Sequence, residues 1–323
     1  MDLPGTEKTF KRTIESNLIS KLHMQWREYK KTKYLLLMLV PALIWYGVFY
    51  YGPLYGITLA FKDFRIMEGI TGSPWVGFKH FERMFTSTGD FFEILRNTIL
   101  ISFYHIIFGF PAPIILALLF NELRWKIFKR ISQTISYLPH FLSWVVLAGL
   151  LITILSPSTG IVNYLLGLIG IEPIYFLGDK NWFRFSLVVS GIWKEIGWGT
   201  IIYLAALAGV NPDMYEAAVM DGANRWKQAL HVTLPSILPV IAIMFILRVG
   251  NILDAGFDQV LNLYNPAVYE VADIIDTYVF RVGLQQMQFS FTTAVGLFKN
   301  VIGFLMVIGA NYLIKKAGQE GVF

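Results

Sequence analysis

Six long apolar runs alternate with polar segments along the chain, at about 34 to 57, 97 to 120, 134 to 156, 185 to 208, 236 to 256 and 291 to 314. A hydrocarbon core of about 30 Å takes roughly 20 helical residues at about 1.5 Å each, so every run is long enough to cross a membrane. The pattern predicts an all-α, polytopic membrane protein with six transmembrane helices. Ahead of the first run lies a 33-residue polar tail. It is too long and charged for a signal-peptide n-region, and no small-residue cleavage site follows the apolar run, so the first span is expected to remain as an anchor. Within the tail, Ile14, Leu18, Leu22 and Trp26 recur every four residues among charged neighbours. That is the pattern of a helix lying on the inner membrane surface or packed on another subunit.

Composition agrees: 55% of the chain is hydrophobic, only 15% is charged, and the mean hydropathy is +0.54, whereas soluble domains are about a quarter charged. The absence of cysteine excludes disulfides, Cys-ligated zinc and iron–sulfur clusters. The net charge of +5 matters through its distribution. Of 27 Lys and Arg, 16 fall in the tail, in 121 to 133, in 209 to 235 and after 314, against 8 in 58 to 96, 157 to 184 and 257 to 290. The basic side is the cytoplasmic one, so both termini are expected inside. The outer segments leave room for short interfacial helices but not for an inserted globular domain. No internal repeat is visible, so the inverted-repeat plan of many secondary transporters is not evident.

Catalytic patterns are missing. There is no Gly-Lys pair and hence no phosphate-cradling GxxxxGK[ST] loop, no HExxH, no GxSxG, and no carboxylate pair at helical spacing within a span. The five histidines, His23, His80, His105, His140 and His231, lack metal-ligand spacing, and neither a metal site nor nucleic-acid binding is expected. These absences point to passage through a membrane rather than to a reaction.

One basic-side segment stands out: NPDMYEAAVMDGANRWKQALHVTLP, residues 211 to 235. Asn211 can cap a helix that has Pro212 at its first position and Asp213 at the positive end of the dipole. Gly222 supplies a left-handed reversal, and a second short helix from about Asn224 runs toward Pro235. The small side chains of Ala217 and Ala218 let this turn sink into a cleft on another protein, with Glu216 and Asp221 offering charge to basic partners.

The segment resembles the EAA loop of binding-protein-dependent ABC importers: EAA, three residues, G, nine residues, I, one residue, LP. Glu216, Ala217, Ala218, Gly222, Leu234 and Pro235 stand at the family spacing, with Val232 in the isoleucine place. The segments SYLPHFLSWVVLAGLL (136 to 151), 193 to 208, 256 to 284 and TAVGLFKNVIG (293 to 303) are similar to the carbohydrate-uptake branch of type I (MetI-like) permeases. Within that branch they are most similar to importers of alginate-, pectin- or xylan-type oligosaccharides. The large first outer loop of the maltose-type subunit is absent.

The resemblance implies a permease subunit in a bacterial cytoplasmic membrane. It would work with a second, homologous permease, an ABC ATPase dimer that uses ATP and Mg, and an extracellular solute-binding protein delivering an oligosaccharide. This chain would bind no cofactor and catalyse nothing. The implied organisation is a cytoplasmic tail at 1–33, a first anchor at 34–61, a permease core at 97–314 containing the 211–235 coupling loop, and a cytoplasmic tail at 315–323. A secondary transporter or channel not driven by ATP is the alternative.

Charges inside spans are costly and generally face a bundle interior or water. Lys194, Glu195, Arg248, Asp254 and Lys299 qualify. Lys299 and Asn300 fall near the small-residue face of Gly296, Gly303 and Ala310, so Lys299 is expected to point inward. Met244, Arg248, Asn251 and Ala255 share a stripe of span five, with Asp254 beside it, while Glu195, Gly199 and Tyr203 align in span four near Trp193 and Trp198. These groups either pair structurally, Glu195 or Asp254 with Arg248 or Lys194, or line a sugar pathway in which polar groups hydrogen-bond hydroxyls and aromatics stack on rings. The excess of one cation among the five leans toward an acidic chain.

Overall fold

Residues 32–86, 90–318 and 321 are described by the computed structural model. The periodic tail segment containing Ile14, Leu18, Leu22 and Trp26 lies outside these residues. The chain divides into two units, 1–58 and 59–323. Helix α1, Thr32–Phe61, runs from the first into the second, and its side chains from 32 to 55 are exposed.

Among the described residues, four helices are long and apolar enough to span a bilayer: α1, α3 (Phe91–Glu122), α9 (Arg225–Gly250) and α12 (Phe289–Lys316). A fifth span is possible if a bent pair counts as one. That pair corrects the expectation of one straight helix over 134 to 156. Helix α4, Lys126–Tyr137, continues through a tight turn at Leu138–Phe141, and α5, Trp144–Ile154, leaves at 107° to it. Pro139 sits at the start of the tight turn, Leu142 and Ser143 are extended, and the Ser143 hydroxyl accepts from the Val146 amide to start α5.

The fourth expected span is α7, Lys180–Ala208, started by the Asp179 side chain accepting from Asn181. It is 29 residues long, but Arg184, Lys194 and Glu195 lower its apolarity. It compensates by burying much of its surface in the chain. Gly197 is where it meets α4, because a Cβ there would come within 2.0 Å of the Ser136 carbonyl oxygen.

Three helices widen by one residue just before a proline. Gly52, Phe110 and Leu234 each donate their amide five residues back, to Gly47, His105 and Ala229, and each immediately precedes Pro53, Pro111 or Pro235. Proline cannot donate and its ring crowds the carbonyl four residues back, so the wider turn absorbs the mismatch without ending the helix. The second arm of the 211–235 segment therefore merges with span five into one helix, α9.

Span five ends sooner than the sequence implied, at Gly250 rather than 256. Asn251 to Asp254 form a turn, and Gly256, at φ 85°, starts α10 (Phe257–Leu263). Ala255, expected on the polar stripe, is buried in a core cluster with Phe183, Leu187 and Val260. The segment that follows, 264 to 288, is well packed. Asn97 on α3 donates to the carbonyls of Glu270 and Asp273 and accepts from Arg184 on α7, while Thr98 accepts from the Ile275 amide opening α11, Ile275–Val279. A second cluster, of Phe91, Ile94, Ile275, Val282, Phe291 and Val295, ties this segment to α3 and α12.

Candidate functional site

The 211–235 segment forms the turn between two helical arms that its sequence calls for. Helix α8, Pro212–Met220, is capped by the Asn211 side chain, which accepts from the Asp213 amide at 3.0 Å. Gly222 adopts φ 73°, and the Ala223 amide folds back to the Ala218 carbonyl. Asn224 caps the second arm through the Lys227 amide at 2.9 Å. The base is held by the Tyr215 hydroxyl against Thr233 at 3.1 Å and by Leu234, which packs on the cluster of Ile114, Tyr203, Leu207 and Ile237. Arg225 pairs with Glu122 at the end of α3, at 2.6 Å.

Glu216, Ala217, Asp221 and Gly222 are exposed, with Ala218 half-buried and Pro235 exposed at the start of the apolar part of α9. Beside them Met220 and Trp226 stand open, at 86% and 73% of full exposure. Motif spacing alone did not select these two. Their signal was present in the sequence as large apolar residues in an otherwise polar turn.

The intramembrane candidates separate into three groups. Glu195, Tyr203, Arg248, Asn251 and Asp254 line one cavity of about 620 Å³, together with His105, Trp144, Trp198 and Gln259. Asn251 and Asp254 also border a second cavity of about 360 Å³, with Lys299 and Asn300 on its wall. Trp193 and Lys194 line neither.

Lys194 is buried, and its ammonium donates to the carbonyls of His140 at 2.8 Å and Leu142 at 2.7 Å. These carbonyls lie where α4 breaks from α5, so Lys194 supplies the donor that the interrupted helix no longer provides. The neighbouring Glu195 accepts from the His140 ring at 2.9 Å, and that ring stacks on Trp198 at 4.4 Å between centroids. Lys299 points inward as expected, but onto Asp276 of α11, at 2.6 Å from both carboxylate oxygens. Asp276 escaped notice because it lies outside the spans; a carboxylate set among Ile274, Ile275, Tyr278 and Val279 was its only signal.

The expected surplus of cation in one cavity is thus not what the geometry gives. Lys194 and Lys299 are spent on backbone carbonyls and on Asp276, and the charged groups on the larger cavity are Arg248, Glu195 and Asp254. Neither carboxylate comes within 4 Å of the Arg248 guanidinium, so the anticipated direct pairing of Arg248 does not form, whereas Glu195 does pair with the Lys194 ammonium, at 3.9 Å. No cluster of three or more His, Cys, Asp or Glu suited to a metal occurs among the described residues.

Comparison with known proteins turns on the same region. The sequence model of the family described as "Binding-protein-dependent transport system inner membrane component" matches residues 109–319, which include the whole loop and every cavity-lining span from α3 onward except the start of α3. The chain belongs to that family. Its members are transport permeases. The chain is similar to the polygalacturonan/rhamnogalacturonan transport system permease protein YteP of Bacillus subtilis (strain 168), 46% identical over 97% of this chain and 95% of the relative. It is equally similar, at 46% over 91% of this chain and 92% of the other, to protein LplB of the same organism. Among solved structures it resembles a chain of a bacterial alginate ABC transporter crystallised in complex with an alginate pentasaccharide-bound periplasmic protein. That match has a TM-score of 0.85 and 42% identity, and covers 92% of this chain and 99% of that one.

Proposed function

We propose that this chain is the membrane-spanning permease subunit of an ATP-driven importer that passes an acidic, uronic-acid-containing oligosaccharide from an extracellular binding protein to the cytoplasm. The observation that carries this reading is the near full-length similarity, at 46% identity, to a permease named for polygalacturonan and rhamnogalacturonan. A second, homologous permease completes the pathway, and a separate ATPase dimer hydrolyses ATP with Mg. Both termini lie in the cytoplasm, because the basic residues cluster in the segments on that side. The first helix is an anchor ahead of the permease core.

Glu216, Ala217, Ala218, Asp221 and Gly222 form the element that enters the ATPase, with Leu234 and Pro235 fixing its base. The exposed turn, rigid through its caps and joined without interruption to α9, can transmit displacement of the ATPase to the spans around the cavity. Alternating access then follows from movement of those spans against the partner permease.

The test is uptake of labelled oligogalacturonides and of neutral xylan-type chains of equal length, in the host with and without the gene. Loss of acidic uptake on deletion is expected; loss of neutral uptake alone overturns the substrate class. Glu216→Lys is expected to abolish uptake while leaving the protein in the membrane. Wild-type uptake after that change, or robust uptake in vesicles without nucleotide, rejects the coupling role.

A further inference from the structure

The three intramembrane cations differ in one respect that bears on selectivity. Lys194 is consumed by two backbone carbonyls and Lys299 by Asp276. Arg248, in the last turn of α9, forms no hydrogen bond or ion pair among the described residues, and its side chain is exposed on the wall of the 620 Å³ cavity. A guanidinium carries five donors in a fixed fork, and on an exposed cavity wall these donors are open to an acceptor that enters the cavity.

Building on the proposed function, we propose that Arg248 is the specificity-determining residue of this subunit, reading the carboxylate of a uronic acid residue through a bidentate contact. The fork geometry of guanidinium matches a carboxylate and not a hydroxymethyl group, which is what distinguishes a uronic acid from the corresponding neutral sugar. The surroundings fit a pyranose ring. Trp144 and the face of Trp198 not stacked on His140 offer apolar surface on the cavity wall, and the Asn251 side-chain oxygen lies within the same lining. Glu195 and Asp254 exert attraction on Arg248 from a distance. They compete with the substrate carboxylate without replacing it, which keeps occupancy transient, as a passage site requires. Glu195 is restrained in this by its contact with His140.

The experiment uses the assembled transporter in proteoliposomes, with its binding protein and ATP. The probes are oligogalacturonides and the same chains with their carboxyls reduced to hydroxymethyl groups. Wild type is expected to import the acidic chains at least about tenfold faster at subsaturating substrate, the scale of a charge-assisted pair. Arg248→Gln is expected to remove most of that ratio by lowering acidic uptake far more than uptake of the reduced chains; Arg248→Lys, which keeps the charge but not the fork, falls between. If Arg248→Gln lowers both uptakes equally, or leaves the ratio intact, Arg248 is structural and the inference is wrong. Because the binding protein also selects, wild-type transporter is tested with the binding protein's affinities for both probes measured separately. Discrimination wholly accounted for by those affinities likewise overturns the role of Arg248. Import of neither probe by wild type would instead reject the proposed function itself.

Discussion

The ammonium of Lys299 on α12 lies 2.6 Å from both carboxylate oxygens of Asp276 on α11, a pair in which each side chain keeps less than a quarter of its exposure. It links the helical segment around α11 to the last span at the edge of the smaller cavity. A cation left there without its partner would be uncompensated, whereas removing both charges leaves nothing unpaired.

Asp276→Asn is therefore expected to destabilise the detergent-purified protein by about 3 kcal/mol, and Lys299→Met by a similar amount. The double change is expected to recover most of the loss. Thermal melts of the two single variants and the double one form the cycle that measures the coupling; additive losses would show that the pair does not hold the helices together.

Gly197 is the contact between α7 and α4. A Cβ there would meet the Ser136 carbonyl oxygen at 2.0 Å and its carbon at 2.4 Å, and these are backbone atoms with no rotamer to yield. Gly197→Ala is expected to force the helices apart and to displace the Lys194 cap of the α4–α5 break. The cost should be about 3 kcal/mol, the upper range for overpacking. A melting temperature equal to wild type would contradict the packing.

Gly222 presents the opposite case. No atom lies within 4 Å of a Cβ built there, so only the left-handed φ of 73° opposes a side chain. Gly222→Asn, whose residue tolerates that conformation, is expected to retain more uptake than Gly222→Val, for which the same conformation costs about 1–2 kcal/mol. Reconstituted uptake, normalised to the amount of protein in the membrane, separates them; equal activity would remove the turn from the coupling path.

Lys180, the first residue of α7, donates to the Glu270 carboxylate on the segment that precedes α11, and this contact holds the Glu270 carboxyl below its ordinary value of 4.5. A depressed carboxyl contributes stability that is fully present above the unfolded value and disappears as pH falls through the folded one. Both partners are exposed, so the effect is small and screened by salt. Melting curves of wild type and Glu270→Gln should differ slightly at pH 6 to 8, and the gap should close as pH falls below about 4.5. A gap that widens in acid would refute the assignment.

Much of the 211–235 turn was legible from residue types because its determinants are local. Asn211 and Asn224 cap within three residues, Gly222 fixes the reversal through its own φ, and Pro212 preorganises the first turn. The spans were legible for the same reason, since length and apolarity are properties of a contiguous run. The proline-induced widening before Pro53, Pro111 and Pro235 was encoded locally too, but periodicity does not register one extra residue in a turn.

The sequence by itself determined an all-helical membrane protein, its number of apolar runs, the uneven distribution of its basic residues and the helix–turn–helix at Gly222. Only the tertiary structure decided that α4 and α5 break at 107°, that span five stops at Gly250, and which intramembrane charges are free. Charge pairing depends on distance in space, and the deciding partners lie far apart in sequence. The carbonyls of His140 and Leu142 satisfy Lys194 from more than fifty residues away, and Asp276 satisfies Lys299 from a different helix. Arg248 stands apart from them because, among the described residues, no segment folds an acceptor against it.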